Sequence, residues 1–234
     1  NHFRKVEISK DSAGEIGTIN VTDNTGKETV YMRTEKDNIR SRYSIVPDAP
    51  WPGTFFMSLT SAEYLCLKDD KTALIIVDRS GNKVAMENYS GTYRVSEYDF
   101  AGGGKCTLAY SGTQLQRIEN DKGERIVLEY TGAYVTMITA SNGRNATIST
   151  AVLKYTGDGR LSGIDFRLES VDNMPSAVRY CWSNGRLSTV EDTTGGMAAD
   201  VEYAGGKVCK IIRRFIGDSQ YDQPTTYDYF AYQT

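Results

Sequence analysis

The sequence is poor in the side chains on which catalysis and metal binding depend. Its 234 residues include one histidine, His2, and four cysteines, Cys66, Cys106, Cys181 and Cys209, with no CxxC pair. A nucleophile–histidine–acid arrangement needs a histidine held by the fold, and a zinc site needs closely spaced ligands. We therefore expect no enzyme, no cofactor and no metal site. The sequence leaves any disulfide pairing open, and buried, reduced side chains in strands are the simpler interpretation of the cysteines.

A basic stripe and a long apolar run are also missing. The net charge is -3 with a pI near 5.4, whereas proteins that follow a phosphate backbone usually carry a basic stripe. The one basic cluster, Lys210, Arg213 and Arg214, is typical of a solvated strand face. No run approaches the ~18 apolar residues of a membrane span. We expect neither nucleic-acid binding nor membrane insertion and, because the chain begins with Asn1 and not with Met, a piece of a larger protein.

Glycine and tyrosine are abundant, with 22 and 16 residues respectively. Tyrosine favours a half-buried pleated surface, and glycine supplies the positive φ of tight turns. Glycine and asparagine interrupt the chain every ~10 residues, too often for the helices of globular proteins. Asp23, Asp78 and Asp192 each precede a glycine by three positions, which is typical of a turn closed by a carboxylate. The composition therefore predicts an all-β fold.

An internal repeat organises these strands. Six tyrosines recur at intervals of 20 to 25 residues, and a glycine turn with two apolar residues three positions apart follows each of them: Tyr89, Tyr110, Tyr130, Tyr155, Tyr180 and Tyr203. Val135 and Ile138 form such a pair. In a regular strand they would point to opposite faces, so either a bulge returns both to one face or both faces are partly covered. We favour the bulge.

The second half of each repeat has the alternating pattern of a strand with one dry face. In GERIVLEY, the residues Ile126, Leu128 and Tyr130 alternate with Arg125, Val127 and Glu129. A single hairpin cannot bury its own apolar face. The sequence therefore predicts antiparallel hairpin repeats stacked edge to edge in an extended, spiralling or partly closed β-sheet.

The chain divides into three segments on this basis. Residues 1–72 form a β-rich lead-in without the clean repeat, and we expect SRYSIV to be one of its strands. Residues 73–215 carry the hairpin repeats, and residues 216–234 form a terminal strand pair or a truncated repeat. PDAPWPG, which holds three of the five prolines, is expected to be a loop, and residues 168–177 a longer connection.

Several strings resemble the YD/Rhs repeat, whose consensus runs Tyr-Asp-x-x-Gly-Arg-Leu-x-x-Ile. YTGDGRLSGI and YCWSNGRLSTV keep Gly-Arg-Leu at 159–161 and 185–187, and DRSGNKVAMENY also fits. The resemblance covers residues 64–215. The aspartate after tyrosine is absent, and its place is taken by Thr131, Thr156, Cys181 and Ala204.

The resemblance implies a fold and a setting. The family includes bacterial wall-associated and polymorphic-toxin proteins, the cocoon component of insecticidal toxin complexes, and teneurins. Its repeats form a spiralling β-shell that encloses a passenger domain or presents an adhesive surface, and they contain no catalytic residues. We therefore expect a non-catalytic scaffold segment of a secreted or cell-surface bacterial protein. Its partners would be the flanking repeats of its parent and a passenger domain or a surface glycan or protein.

The alternative function is a carbohydrate- or protein-binding adhesin module that uses an aromatic-lined sheet face. Trp51 and Trp182 are its candidate binding residues, since exposed aromatic rings stack on sugars or anchor proteins. Ordinary cross-strand packing is the simpler interpretation of both rings. The residues expected to be structural are the six repeat tyrosines and the turn glycines Gly159 and Gly185.

Overall fold

The computed structural model describes residues 5–23, 25–44, 47–169, 176–216 and 218–226. These ranges contain nineteen strands and one helix, and every strand pairing within the units described below is antiparallel. The predicted all-β class is confirmed. The chain forms two compact units, residues 1–123 and residues 124–234. The three segments predicted from the repeat pattern follow a different criterion and stay a prediction.

Unit 1 contains ten strands, and each pairs with the next along the chain. One helix, α1 (Lys36–Tyr43), lies between the third and fourth strands. The strands are β1 (Lys5–Lys10), β2 (Ile16–Thr22), β3 (Glu28–Arg33), β4 (Gly53–Ser58), β5 (Glu63–Lys68), β6 (Ala73–Asp78), β7 (Lys83–Tyr89), β8 (Thr92–Asp99), β9 (Lys105–Ser111) and β10 (Gln114–Asn120).

Unit 2 continues the same up-and-down order with nine strands. They are β11 (Arg125–Thr131), β12 (Tyr134–Ser141), β13 (Thr147–Tyr155), β14 (Leu161–Leu168), β15 (Ser176–Ser183), β16 (Arg186–Asp192), β17 (Met197–Ala204), β18 (Lys207–Phe215) and β19 (Asp218–Thr226). Within the expected connection at 168–177, residues 170–175 lie outside the described residues, as do residues 227–234 of the expected terminal segment.

Carboxylates close several of the hairpin turns, as the aspartate–glycine spacing predicts. Asp78 Oδ1 accepts hydrogen bonds from the backbone N–H groups of Ser80, at 2.8 Å, and Asn82, at 3.0 Å. Asp23 and Asp192 accept equivalent bonds from the residues that follow them. These carboxylates are therefore occupied by turn formation.

The two faces of the sheet differ in what they bury. We call the face that carries the repeat tyrosines the tyrosine face, and the opposite one the reverse face. In unit 1 the sheet curls until β1 approaches β8, so the tyrosine face is enclosed. Its core consists of Ile19, Val21, Tyr31, Phe56, Leu65, Leu67, Leu74, Ile76, Met86, Tyr93, Val95 and Leu108.

Helix α1 covers part of the reverse face of unit 1. Ile39 is fully buried against a cluster that includes Phe55, Tyr64 and Cys66. Strands β5 and β6 are thus buried on both faces, which explains their nearly continuous apolar runs. Burial raises the pKa of the Cys66 thiol to about 11.

The expectation of a strand in SRYSIV is wrong. Residues 41–43 belong to α1, while residues 45 and 46 lie outside the described residues. The sheet has no place for an extra strand here, because β3 pairs directly with β4. The helix ends at Ser44, whose φ of 57° is left-handed. Within the described residues, no helix is long and apolar enough to span a membrane.

The tyrosine face of unit 2 remains half-exposed. Both buried hydrophobic clusters of the described residues lie in unit 1, whereas Phe166 and Phe215 on the tyrosine face of unit 2 are 37% and 44% exposed. Its reverse face carries charge: Arg214 Nε lies 2.8 Å from Asp200 Oδ2 and, with Thr189, holds the pKa of that carboxyl below its usual value. Unit 2 is therefore an amphipathic sheet with one apolar face uncovered.

Candidate functional site

A β-bulge follows the first apolar residue in each of the six repeat hairpins. Tyr130 pairs with Val135 and Leu128 with Ile138, so Thr136 is the extra residue. Val135 and Ile138 therefore share the tyrosine face, which confirms the bulge favoured from their spacing. The pairing shows the same extra residue at Ser96, Gln116, Ser162, Ser188 and Cys209.

The backbone carbonyl just before the bulge binds the aromatic side chain of the next hairpin. Tyr155 Oη donates to Val135 O at 2.8 Å, and Trp182 Nε1 donates to Leu161 O at 2.8 Å. In unit 1, Tyr110 Oη donates to Val95 O at 3.0 Å. A bulge disrupts the regular ladder at this position, and the aromatic donor from the next hairpin gives this carbonyl a partner.

A planar side chain covers the same aromatic ring. It belongs to the residue that precedes the first apolar position. The guanidinium of Arg160 lies 5.5 Å from the Trp182 ring, and the rings of Tyr134 and Tyr155 are 4.9 Å apart. Such contacts are worth about 0.5–2 kcal/mol each. We call the ring, the planar side chain and the acceptor carbonyl a rung. Four rungs can be described within the two units: Arg94–Val95 with Tyr110, Tyr134–Val135 with Tyr155, Arg160–Leu161 with Trp182, and Arg186–Leu187 with Tyr203.

The turn glycines accommodate the rungs. Gly159 has a φ of +82°, and a Cβ there would lie 2.1 Å from Tyr134 Oη. Gly185 has a φ of +79° and faces a guanidinium nitrogen of Arg160 at 3.3 Å from the Cβ position. The Gly-Arg-Leu string thus has three roles: glycine makes the turn, arginine covers the next ring, and leucine supplies the acceptor carbonyl.

The six repeat tyrosines do not all occupy equivalent positions. Tyr110, Tyr130, Tyr155 and Tyr203 pair with the first apolar residue of their own hairpins. In the repeat that contains Tyr180, however, Trp182 takes that place, opposite Leu187, and Tyr180 lies two pairs behind it, opposite Val190.

The register of Tyr89 also differs. It lies beside the turn, opposite Thr92, while Asn88 pairs with Tyr93. The rung position lies two residues before the two-residue turn, and the turns Ser90–Gly91 and Asn184–Gly185 have positive φ at both residues. Counting back two residues from these turns therefore identifies Asn88 and Trp182 as the residues at the rung position, whereas the tyrosine spacing does not.

The two candidate binding tryptophans already have packing roles. Trp51 lies in unit 1, partly buried against the cluster under α1, and its indole N–H is buried. Trp182 in unit 2 is 38% exposed, but its N–H binds Leu161 O and Arg160 covers its ring.

The cysteines and the remaining titratable groups offer no cluster in the described ranges. All four cysteines are unpaired. Cys66 is buried, as the interpretation of the cysteines as buried side chains predicts, but Cys181 is exposed. The side chain of Cys181 points to the reverse face because that of its neighbour Trp182 points to the tyrosine face. No group of three or more His, Cys, Asp or Glu side chains is placed to hold a metal in the part of the chain that the structure describes. His2 lies outside that part.

Comparison with known proteins identifies the fold. No family model matches the chain, and no curated protein matches it. Among solved structures, TcdB2-TccC3 without its hypervariable C-terminal region aligns with a TM-score of 0.51 at 12% identity, over 95% of this chain and 14% of that one. TcdB2-TccC3 and TcdB2-TccC3-Cdc42 each give 0.50 at 12% identity, over 95% of this chain and 15% and 14% of theirs. The chain has an Rhs-like shell fold.

This likeness defines architecture and nothing finer. The open all-β sheet corresponds to part of such a shell, and the chain spans 14–15% of the length of the solved chains it matches. At 12% identity, similarity extends to the fold. The predicted all-β partial shell is therefore confirmed as an Rhs-like shell fold.

The rungs should contribute measurably to stability. Replacing Tyr155 with Phe removes the hydroxyl bonded to Val135 O but keeps the ring, so we expect a loss of about 0.5–1.5 kcal/mol in the free energy of unfolding. Tyr180→Phe is the matched control, because Tyr180 lies on the same face but outside the rung position. Urea unfolding of both variants checks this, and equal losses would contradict the rung.

Proposed function

We propose that the chain is a non-catalytic wall segment of a secreted or cell-surface Rhs/YD-repeat protein, with the tyrosine face of unit 2 directed toward an enclosed passenger. The supporting observation is the amphipathic sheet of unit 2. Phe166, Phe215 and Met197 are 37–44% exposed on one face, whereas ion pairs such as Arg179 Nη1 with Asp165 Oδ1, at 2.7 Å, occupy the other. Apolar residues exposed side by side on one face of a sheet favour a contact site there.

The total exposed area supports the same proposal. The chain exposes 14562 Å², whereas a folded monomer of 26.0 kDa would expose about 10,500 Å². A sheet with one uncovered face, as in unit 2, exposes more surface than a compact monomer of the same mass. Flanking repeats and a passenger are the partners that would cover that face, and the likeness to TcdB2-TccC3 supports this assembly.

Site-specific photo-crosslinking in the parent protein tests the proposal. Phe166 on the tyrosine face and Val152 on the reverse face have nearly the same exposure, 37% and 39%, so they form a matched pair. With p-benzoylphenylalanine at position 166 we expect crosslinks to the passenger segment of the parent. At position 152 we expect none.

The opposite pattern, or equal crosslinking from both positions, would mean that the tyrosine face is not the enclosed one. We do not assign the alternative adhesin function to Trp51 or Trp182, because their rings already pack within the fold.

A further inference from the structure

The last rung of unit 2 is open. In the three other rungs the ring forms a hydrogen bond to the preceding carbonyl, whether the donor is Tyr110, Tyr155 or Trp182. Tyr203 occupies the same register opposite Val208, but its hydroxyl makes no hydrogen bond with any described residue. A phenol donor and a backbone acceptor, Leu187 O, therefore face a gap.

The arginine of this rung also lacks a partner that its counterparts have. Arg160 is paired with Asp158 at 3.2 Å, and Arg94 donates to Gly112 O. Arg186 lies 5.3 Å from the Tyr203 ring and next to Gly206. Among the described residues it has neither an ion pair nor a hydrogen bond. Its guanidinium thus has five N–H donors available for a planar acceptor.

A pocket of about 460 Å³ occupies this gap. Its lining combines apolar and neutral polar groups with one cation and no carboxylate, and includes Asn184, Arg186, Leu187, Ser188, Val201 and Tyr203. The volume lies in the range of small-molecule sites. The unpaired cation favours an anionic group, and the hydroxyl and amide groups favour a ligand with several hydroxyls.

We propose that this pocket binds the uronate ring of an acidic saccharide. Arg186 holds the carboxylate in a two-pronged, charge-assisted contact, which is the geometry that guanidinium and carboxylate share. The Tyr203 ring and the side chains of Leu187 and Val201 contact the apolar face of the sugar. A ring hydroxyl accepts a hydrogen bond from the Tyr203 hydroxyl and donates one to Leu187 O, so it bridges the donor and the acceptor of the rung that the described residues leave open. This site lies on the tyrosine face of unit 2, but its test below uses the chain alone and does not depend on the proposed wall function.

Titration of the 234-residue chain with glucuronate, followed by isothermal calorimetry and NMR shifts of the Arg186 side chain, tests the site. Glucose and acetate are the two comparison ligands. We expect glucuronate to bind at least tenfold more tightly than glucose or acetate, because glucose lacks the carboxylate and acetate lacks the hydroxylated ring. Equal binding of acetate and glucuronate, or no binding of glucuronate, would overturn the proposal.

Three variants assign the binding to this rung. Arg186→Gln should weaken glucuronate binding about tenfold or more, and Tyr203→Phe, which keeps the ring, about fivefold. Arg160→Gln is the matched control and should leave it unchanged, since Arg160 belongs to a closed rung. Equal losses in Arg160→Gln and Arg186→Gln would refute the assignment. If Arg186→Gln fails to fold, the affinity of Tyr203→Phe for glucuronate and the NMR shifts of the Arg186 side chain in the unmodified chain still test the site.

Discussion

Leu74→Ala should lower the free energy of unfolding of unit 1 by about 2–5 kcal/mol, the cost of removing a fully buried leucine from a packed core. Leu74 is 0% exposed and lies in the enclosed cluster on the tyrosine face. Trp51 lies in the same unit. Urea unfolding monitored by Trp51 fluorescence in a Trp182→Phe background therefore measures this effect.

Leu128→Ala is the matched comparison, because Leu128 occupies the tyrosine face of unit 2, where the same side of the sheet is half-exposed. We expect a loss of about 1–2 kcal/mol, in proportion to the smaller apolar area that it buries. Trp182 fluorescence in a Trp51→Phe background measures it. Equal losses for Leu74→Ala and Leu128→Ala would show that the tyrosine face of unit 2 is covered in the isolated chain.

Gly159→Ala should cost about 2–3 kcal/mol, more than a positive φ alone explains. The left-handed backbone accounts for about 1–2 kcal/mol. The added methyl also requires Tyr134 to move, because its hydroxyl would lie 2.1 Å away, and that movement sacrifices the contact with the Tyr155 ring, worth about 0.5–1.5 kcal/mol. Gly159→Val should cost more still, and thermal or urea unfolding measures each loss.

Gly26→Ala separates the two contributions. Gly26 has nearly the same φ, +84°, in a turn with the same backbone hydrogen bonds, but its Cβ position has no atom within 4 Å. It should lose the backbone contribution only. Gly159→Ala in a Tyr134→Ala background should cost no more than Gly26→Ala. If Gly159→Ala and Gly26→Ala cost the same in the native background, the contact with Tyr134 has no energetic weight.

Local sequence patterns predicted much of this fold. The alternation in GERIVLEY placed Ile126, Leu128 and Tyr130 on one face, and the three-residue spacing of Val135 and Ile138 predicted the bulge. Both rules depend on near neighbours in the chain. The resemblance to YD repeats added the shell architecture, which the fold comparison bears out.

Contacts between distant segments could not be predicted in this way. Helix α1 has Ile39 as its one buried residue, so its sequence lacks an apolar stripe, and the helix exists because β4–β6 present a second apolar face. The choice of Trp182 over Tyr180 depends on where the turn begins. The open rung at Arg186 and Tyr203 is defined by the hydrogen bonds and ion pairs that the other rungs make and this one lacks, and no local sequence pattern encodes that difference.

The rungs also give the strip a direction of growth. Each hairpin presents a carbonyl at its bulge and a planar side chain, such as Leu161 O and Arg160, which acquire their partner, Trp182, when the following hairpin arrives. Each rung thus closes only when the later of its two hairpins is in place. In a chain that emerges amino end first, from a ribosome or a secretion channel, each hairpin can therefore dock on the one before it. The rungs then close in the order of synthesis, and few strand edges stay exposed between docked hairpins.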